Sequence, residues 1–306
     1  MEQITIHEVA IIGAGGKIAG GKMGDWFTTF FLNLESKKVK LYDTKSKIKI
    51  YEGKYEKKLI ITKDIISCIK NADLILICVP ISNISEIVFE CSKNAKPGAI
   101  ISEISSIKNQ SFESLINIRQ DLVPLCIHPM FGPGAKNIDK MKIIVIPVRN
   151  EQNEFLLAKK IFEGANIIQV DSAEIHDKII SVVLGFTHYM NLVFAKFLTN
   201  LDYDEFKKYG GTTFKMQSLI SESILTDNSQ LMTSLLFFNP RLLDDIQLFL
   251  KEANKISTLI SNNNKNEFVN LFNQVQSFFE KNNSPKTSYK KLYDAMKIID
   301  ETTYDL

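Results

Sequence analysis

From Val9 to Val170, short runs of Ile, Val and Leu bounded by Gly, Pro or Asp alternate with longer stretches at helical spacing, and this rhythm constrains the fold more than any other feature of the chain. Repeated strand–helix units build an open parallel sheet covered on both faces, and strands shielded on both sides read as unbroken apolar runs. Eight candidate strands follow: Val9 to Ile12, Val39 to Tyr42, Leu59 to Ile61, Leu74 to Val79, Ala99 to Ser102, Leu125 to Ile127, Ile143 to Ile146 and Ile167 to Val170. After Asp171 the strand signals stop. Apolar residues then recur at helical spacing, as in Phe186, Tyr189, Val193 and Phe197, or Phe268, Phe272, Val275 and Phe279. Breaks at Gly210-Gly211, Asn239-Pro240, Asn262 to Asn264 and Asn282 to Pro285 predict about five or six helices in this half. The fold class is therefore α/β with a doubly wound sheet over residues 1–171, followed by an all-helical domain over 172–306.

Directly after the first strand comes Gly13-Ala14-Gly15-Gly16-Lys17-Ile18-Ala19-Gly20-Gly21-Lys22-Met23-Gly24, opening a helix that runs on into Asp25-Trp26-Phe27. Glycines there let the backbone approach a pyrophosphate, and the free amides at the helix N-terminus hold its charge. Asp43 closes the second strand about twenty residues further on, where a carboxylate accepts hydrogen bonds from the adenosine ribose hydroxyls and repels a 2′-phosphate. The first domain reads as Rossmann-like and dinucleotide-binding, with Gly13, Gly15, Gly16, Gly21 and Met23 at the phosphates. NAD is favoured over NADP, although Lys45 and Lys47 are near enough in sequence to receive a phosphate. AGGKI and AGGKM are near copies. A helix that absorbed the extra residues would swing Trp26 and Phe27 off the core, so the insertion is expected to bulge as loop.

The charge balance, 37 basic against 35 acidic residues for a net +2, creates no field that would draw nucleic acid or an anionic membrane, so a small-molecule substrate is expected. Cys68, Cys78, Cys91 and Cys126 form no CxxC pair and have no histidine at ligand spacing; they read as reduced packing residues, and no metal site is expected. The start does not read as a signal peptide. The most apolar stretch, Ser181 to Leu198, is broken by Thr187, His188, Asn191 and Lys196, so a cytoplasmic protein without a membrane span is expected. The many Phe and Leu of the second half suit either one large internal core or a face buried against a second copy.

Taken with the glycine loop, three segments carry a resemblance: Ala72-Asp73-Leu74-Ile75-Leu76-Ile77-Cys78-Val79-Pro80, Glu103-Ile104-Ser105-Ser106-Ile107-Lys108, and His128-Pro129-Met130-Phe131-Gly132-Pro133. In order and spacing they resemble the prephenate dehydrogenase family, and His176-Asp177 with Gly185-Phe186-Thr187-His188-Tyr189 is similar to the start of that family's helical dimerisation domain. The resemblance implies NAD(P)-linked oxidative decarboxylation of prephenate to 4-hydroxyphenylpyruvate in tyrosine biosynthesis, by a homodimer. It also implies cofactor contacts at Val79, Pro80 and Ser106, and a substrate carboxylate held by His188 or His176. Oxidising a ring alcohol needs a base to take the hydroxyl proton as hydride leaves, and His128, after a strand at the carboxyl edge of the sheet, is suited to it near neutral pH. Ser106 lies in the same edge layer, where its hydroxyl can link substrate and His128 or merely cap the helix expected near Ile107.

Two departures from the family pattern stand out. Prephenate's carboxylates call for arginine, yet the chain has only Arg119, Arg149 and Arg241, and the family's helical-domain arginine falls on Ser223. Lys208, Lys215 or Arg241 are the substitutes the sequence offers. The acidic residue opening the Ser-x-Lys turn is Glu103 rather than Asp. Arogenate dehydrogenase, and a cofactor-binding relative that has lost catalysis, remain as alternatives; retention of His128 and Ser106 argues against the latter.

Overall fold

The computed structural model describes residues 5–14, 21–34, 37–44, 55, 57–227, 229–282 and 285–301. Its first half is one eight-stranded sheet: β1 (Glu8–Ile12), β2 (Lys38–Tyr42), β3 (Leu59–Ile61), β4 (Leu74–Ile77), β5 (Ile100–Glu103), β6 (Val123–Pro129), β7 (Lys142–Ile146) and β8 (Asn166–Gln169). The spatial order is β3-β2-β1-β4-β5-β6-β7-β8. All eight correspond to the apolar runs. Five helices lie between strands or flank them: α1 (Gly21–Asn33), α2 (Ile65–Ile69), α3 (Ile84–Asn94), α4 (Asn109–Ile116) and α5 (Glu151–Ile161).

Strand alternation sorts the core onto the two faces. Ala10, Ile12, Ile75, Ile77 and Ile101 pack with Ile65, Val88 and Leu115 of α2, α3 and α4. Val9, Ile11, Leu74, Leu76 and Ile100 pack instead with Phe27 and Phe31 of α1 and Leu157 and Ala158 of α5. Burial on both faces explains why the strands lack polar alternation.

The sequence pattern leads to a parallel sheet, and the structure departs from it at one place: β6 and β7 pair antiparallel, with His128 opposite Ile144. The cause is local. The connection from Pro129 to Lys142 contains the Gly132-Pro133-Gly134 stretch and no helix, so the chain turns back instead of crossing over.

The remainder is helical: α6 (Ala173–Ile180), α7 (Thr187–Leu198), α8 (Tyr203–Tyr209), α9 (Thr212–Ser223), α10 (Ser229–Phe237), α11 (Leu242–Ser261), α12 (Lys265–Asn282) and α13 (Pro285–Glu301). That is more than the sequence breaks suggested, because short segments such as α8 carry too few residues to show a period. A π-helical turn, Ser181–Phe186, joins α6 to α7. Contacts divide the chain into a sheet unit, Met1–Gly185 with Asp227–Arg241, and a helical unit, Phe186–Thr226 with Leu242–Leu306. The division by contacts runs through the π turn, because α6 buries His176, Asp177 and Ile180 within the sheet unit.

Candidate active site

At the carboxyl ends of β1, β2 and β4, where strand order reverses and open α/β sheets bind their ligands, the expected dinucleotide residues converge. Gly13 has φ +90°, and a Cβ there would sit 2.4 Å from the carbonyl oxygen of Cys78 and 3.1 Å from Val79. Its N–H donates to the Tyr42 carbonyl at 2.9 Å, which places Asp43, half-buried, beside the turn. A Cβ on Gly24 would lie 2.3 Å from the Gly13 oxygen, so α1 presses directly onto the β1 turn. Only glycine fits at either position. Gly13 thus makes the tight turn and Gly24 the close helix–strand packing that a dinucleotide loop needs. Gly21 and Met23, from the second near-copy, form the first turn of α1. Gly15 and Gly16 lie outside the described residues, as do Lys45 and Lys47. The helix keeps its core face: Phe27 is fully buried, and Trp26 donates from Nε1 to the Ala135 carbonyl at 2.7 Å, fastening the loop that follows His128. Val79 and Pro80 lie half-buried after β4, beside Gly13.

Further along the same edge, β6 carries His128, only 3 % exposed. Its Nδ1 lies 3.0 Å from Nε2 of His176, whose Nδ1 lies 2.8 Å from Oδ1 of Asp177. That carboxylate also accepts the backbone N–H of Lys108 at 2.9 Å and of Asn109 at 3.0 Å, capping α4, which has no cap of its own. Asn239 donates from Nδ2 to the Asp177 carbonyl at 2.8 Å and fixes the backbone of α6.

The chain of contacts sets the tautomers. An ionised Asp177 only accepts, so His176 carries its proton on Nδ1 and presents a bare Nε2. His128 must then donate from Nδ1, which leaves the lone pair on its own Nε2, for which there is no partner among the described residues. Both rings are held neutral. Burial, then the neighbouring His176, then Lys108 push the His128 pKa well below its ordinary 6.5. Burial also lowers His176, against the opposing pull of Asp177.

This geometry corrects the expectation for His176. It is fully buried with both ring nitrogens engaged inside the chain, so it has no ring nitrogen to offer a substrate carboxylate. Ser106 is half-buried in the β5–α4 segment, with no hydrogen-bond partner among the described residues. It does not cap α4: the helix begins at Asn109, and Asp177 takes the N–H groups there. Its hydroxyl remains available. His188 lies half-buried in α7, and Lys215 lies exposed on α9, both in the helical unit. With Gly210, Thr212, Tyr293 and Lys297, Lys215 lines an open cavity of about 540 Å³.

The arginines divide by role. Arg119 donates to the carbonyls of Ser92, Lys93 and Ala95, and Arg149 to those of Arg119, Leu122 and Ile118, at the opposite, amino edge of β6. Arg241 pairs with Glu174 at 3.0 Å on the surface. Ser223 is exposed, its hydroxyl on the Ile220 carbonyl. Sequence reasoning missed Asn239, visible only as a break before proline, and gave no role to Lys108 and Glu103, which lie in the Ser-x-Lys motif itself.

Two family models match in succession: "Prephenate dehydrogenase, nucleotide-binding domain" over residues 33–169 and "Prephenate dehydrogenase, dimerization domain" over 172–274. A probable arogenate/prephenate dehydrogenase of Methanocaldococcus jannaschii is 26 % identical over 276 residues, covering 86 % of this chain and 60 % of that protein. The chain thus spans about three fifths of that relative's length. Among solved structures, a prephenate dehydrogenase from A. aeolicus in complex with hydroxyphenyl propionate and NAD+ superposes with a TM-score of 0.70, at 19 % identity, covering 90 % of this chain and 98 % of that one. A Synechocystis arogenate dehydrogenase gives 0.63 at 18 % identity, covering 90 % and 99 %.

Proposed function

We propose, for a chain that belongs to the prephenate dehydrogenase family, the NAD-dependent oxidative decarboxylation of prephenate to 4-hydroxyphenylpyruvate, with His128 as the general base. One observation carries the reading: the Asp177–His176–His128 chain leaves a neutral imidazole with its lone pair on Nε2. Such a nitrogen takes the proton of a secondary alcohol as hydride departs. Proton gain there is supported from behind, because His128 can pass its Nδ1 proton to His176, whose imidazolium then faces the Asp177 carboxylate at 2.8 Å. Ser106 offers a hydroxyl in the same edge layer, able to donate to and accept from the substrate oxygen. The ring ketone so formed loses carbon dioxide to reach an aromatic product, which needs no second acid from the protein.

The nucleotide fits the crevice. Gly13 and Gly24 allow backbone to approach backbone at the turn, Met23 and the N-terminal amides of α1 are assigned to the phosphates, and Asp43 beside the turn suits the two ribose hydroxyls of NAD. When bound, the nicotinamide supplies the hydride acceptor. His188 and Lys215 are assigned to the substrate's carboxylates, since Arg119 and Arg149 are committed to carbonyls elsewhere. A homodimer is proposed through the helical unit, which leaves Phe197 of α7 and Phe272, Phe278 and Phe279 of α12 more than half exposed. Among the described residues one helix, Ala173–Leu198, is long and apolar enough to cross a membrane. It carries the site's own His176 and Asp177, and Phe197 on it belongs to the helical unit assigned to the second subunit, so a cytoplasmic location is proposed.

The deciding experiment follows reduced cofactor at 340 nm with purified protein, NAD or NADP, and prephenate or arogenate as substrate. Turnover of prephenate with NAD supports the reading. Turnover of arogenate alone reassigns the substrate, and no turnover with either removes the proposal.

A further inference from the structure

We propose that the buried ion pair between Glu103 and Lys108 is the positioning device of this site, one brace that holds the peptides leading into Ser106 and His128 and keeps a fixed positive charge on the peptide that carries the imidazole. The proposal rests on the reading of His128 as the base. Both side chains are fully shielded from solvent, with Nζ of Lys108 2.5 Å from Oε1 of Glu103. The same Nζ donates to the Ile127 carbonyl at 2.5 Å, the peptide whose nitrogen belongs to His128. The other carboxylate oxygen of Glu103 accepts the N–H of Ser105 at 2.8 Å, one residue before Ser106. Cys126, opposite Glu103 in the β5–β6 register, donates its thiol to Oε1 at 3.3 Å. Lys108 closes the circuit through its backbone N–H, which donates to Asp177, the carboxylate that orients His176.

Stability does not account for such a pair. Removing two charges from water costs about as much as their attraction returns, and apolar residues of similar volume often serve a fold equally well. What the pair adds is placement: β5 and β6 meet on one ammonium group, and the backbone N–H of the same lysine holds Asp177 of α6. The titratable and charged groups around His128 are His176 of α6, at 3.0 Å from its ring, Asp177 behind His176, Lys108 on the carbonyl that precedes His128, and Glu103 of β5 and Cys126 of β6, which meet one another beside that lysine. From β7 come Ile144 opposite and Lys142 at the strand's start. Lys108 is the buried cation of this set, and it opposes a second positive charge on His128, in keeping with the depressed basicity of that ring.

The test uses the full chain with both charges removed together, Glu103→Gln with Lys108→Met, which avoids stranding one buried ion. The expected result is a folded protein with cofactor KM within about threefold of wild type and kcat lowered by roughly tenfold or more, as small misplacements of reacting groups produce. In protein labelled with 15N-histidine, which has only 4 histidines to assign, the ring nitrogens of His128 should titrate at higher pH than in wild type. Glu103→Asp keeps both charges but shortens the reach to Ser105, so it should lower kcat without moving that titration. It also decides the matter should the double variant not fold. A folded double variant, or Glu103→Asp, with kcat within a few-fold of wild type overturns the proposal. The titration is read without substrate or cofactor, so it stands apart from the role of His128 as base: activity surviving in His128→Asn would defeat that role and leave the titration to judge the charge.

Discussion

Asp177→Asn separates the chemistry of the histidine chain from the packing around it. In the native protein the carboxylate accepts three hydrogen bonds, from His176 Nδ1 at 2.8 Å and from the Lys108 and Asn109 amides at 2.9 and 3.0 Å. Oδ1 serves both His176 and the Lys108 amide while Oδ2 serves the Asn109 amide, so an asparagine with its oxygen at the Oδ1 position keeps two of the three bonds and turns its NH2 group toward the Asn109 amide. The His176 tautomer then survives, at the cost of one unsatisfied N–H at the start of α4, about 1–3 kcal/mol of stability. What is lost is the charge: an imidazolium forming on His176 when His128 takes a proton faces a neutral amide instead of a carboxylate, and charge-assisted hydrogen bonds are roughly twice as strong as neutral ones. Losing about 1.5–3 kcal/mol of support for proton gain lowers kcat by roughly 10–100-fold while cofactor affinity changes little. Initial rates at 340 nm, a thermal melt and a cofactor titration measure the three quantities. A kcat within a few-fold of wild type, in a folded variant, would show that the carboxylate does not support proton gain at His128.

His128→Asn should lower kcat by a similar roughly 10²–10⁴-fold and abolish the acidic limb of the rate profile. Burial, His176 and Lys108 all press the His128 pKa below 6.5, so the wild-type limb must lie below that value, with activity rising as pH increases through it; a limb above 6.5 counts against the assignment. Because an unfolded His128 regains its ordinary affinity for protons, the fold should lose stability as pH falls below 6.5, and less so in His128→Asn, as denaturant melts across that range would report. Asp43→Ser should narrow the preference for NAD, and catalytic efficiency equal or better with NADP in wild type would remove the role given to Asp43. Gly24→Ala drives a methyl group to 2.3 Å from the Gly13 oxygen, and should cost about 1–3 kcal/mol and weaken NAD binding measurably by calorimetry. Light scattering should find a dimer at working concentration; a monomer would mean that the Phe-rich helices close on themselves.

The strands were legible because a strand buried on both faces needs an apolar residue at nearly every position, a demand met locally and visible in runs such as Leu74 to Ile77. The glycine turn was legible for a related reason: positive φ and backbone contact at Gly13 exclude every side chain, and that restriction is a property of one residue. His128 and Ser106 could be named from motif and place. What the sequence alone did not hold was the partnership behind them. His176 reads as an isolated histidine ahead of an apolar helix, and only the packing of α6 beside α4 and β6 puts its Nε2 3.0 Å from His128 and turns an expected ligand contact into an internal support. Lys108 likewise reads as part of a turn until the sheet register brings Glu103 and Ile127 to the same ammonium group. Local pattern records what each residue requires of its own backbone and of water, whereas tautomer, charge pairing and the state of a buried imidazole depend on atoms brought together from distant segments, which only the tertiary structure supplies.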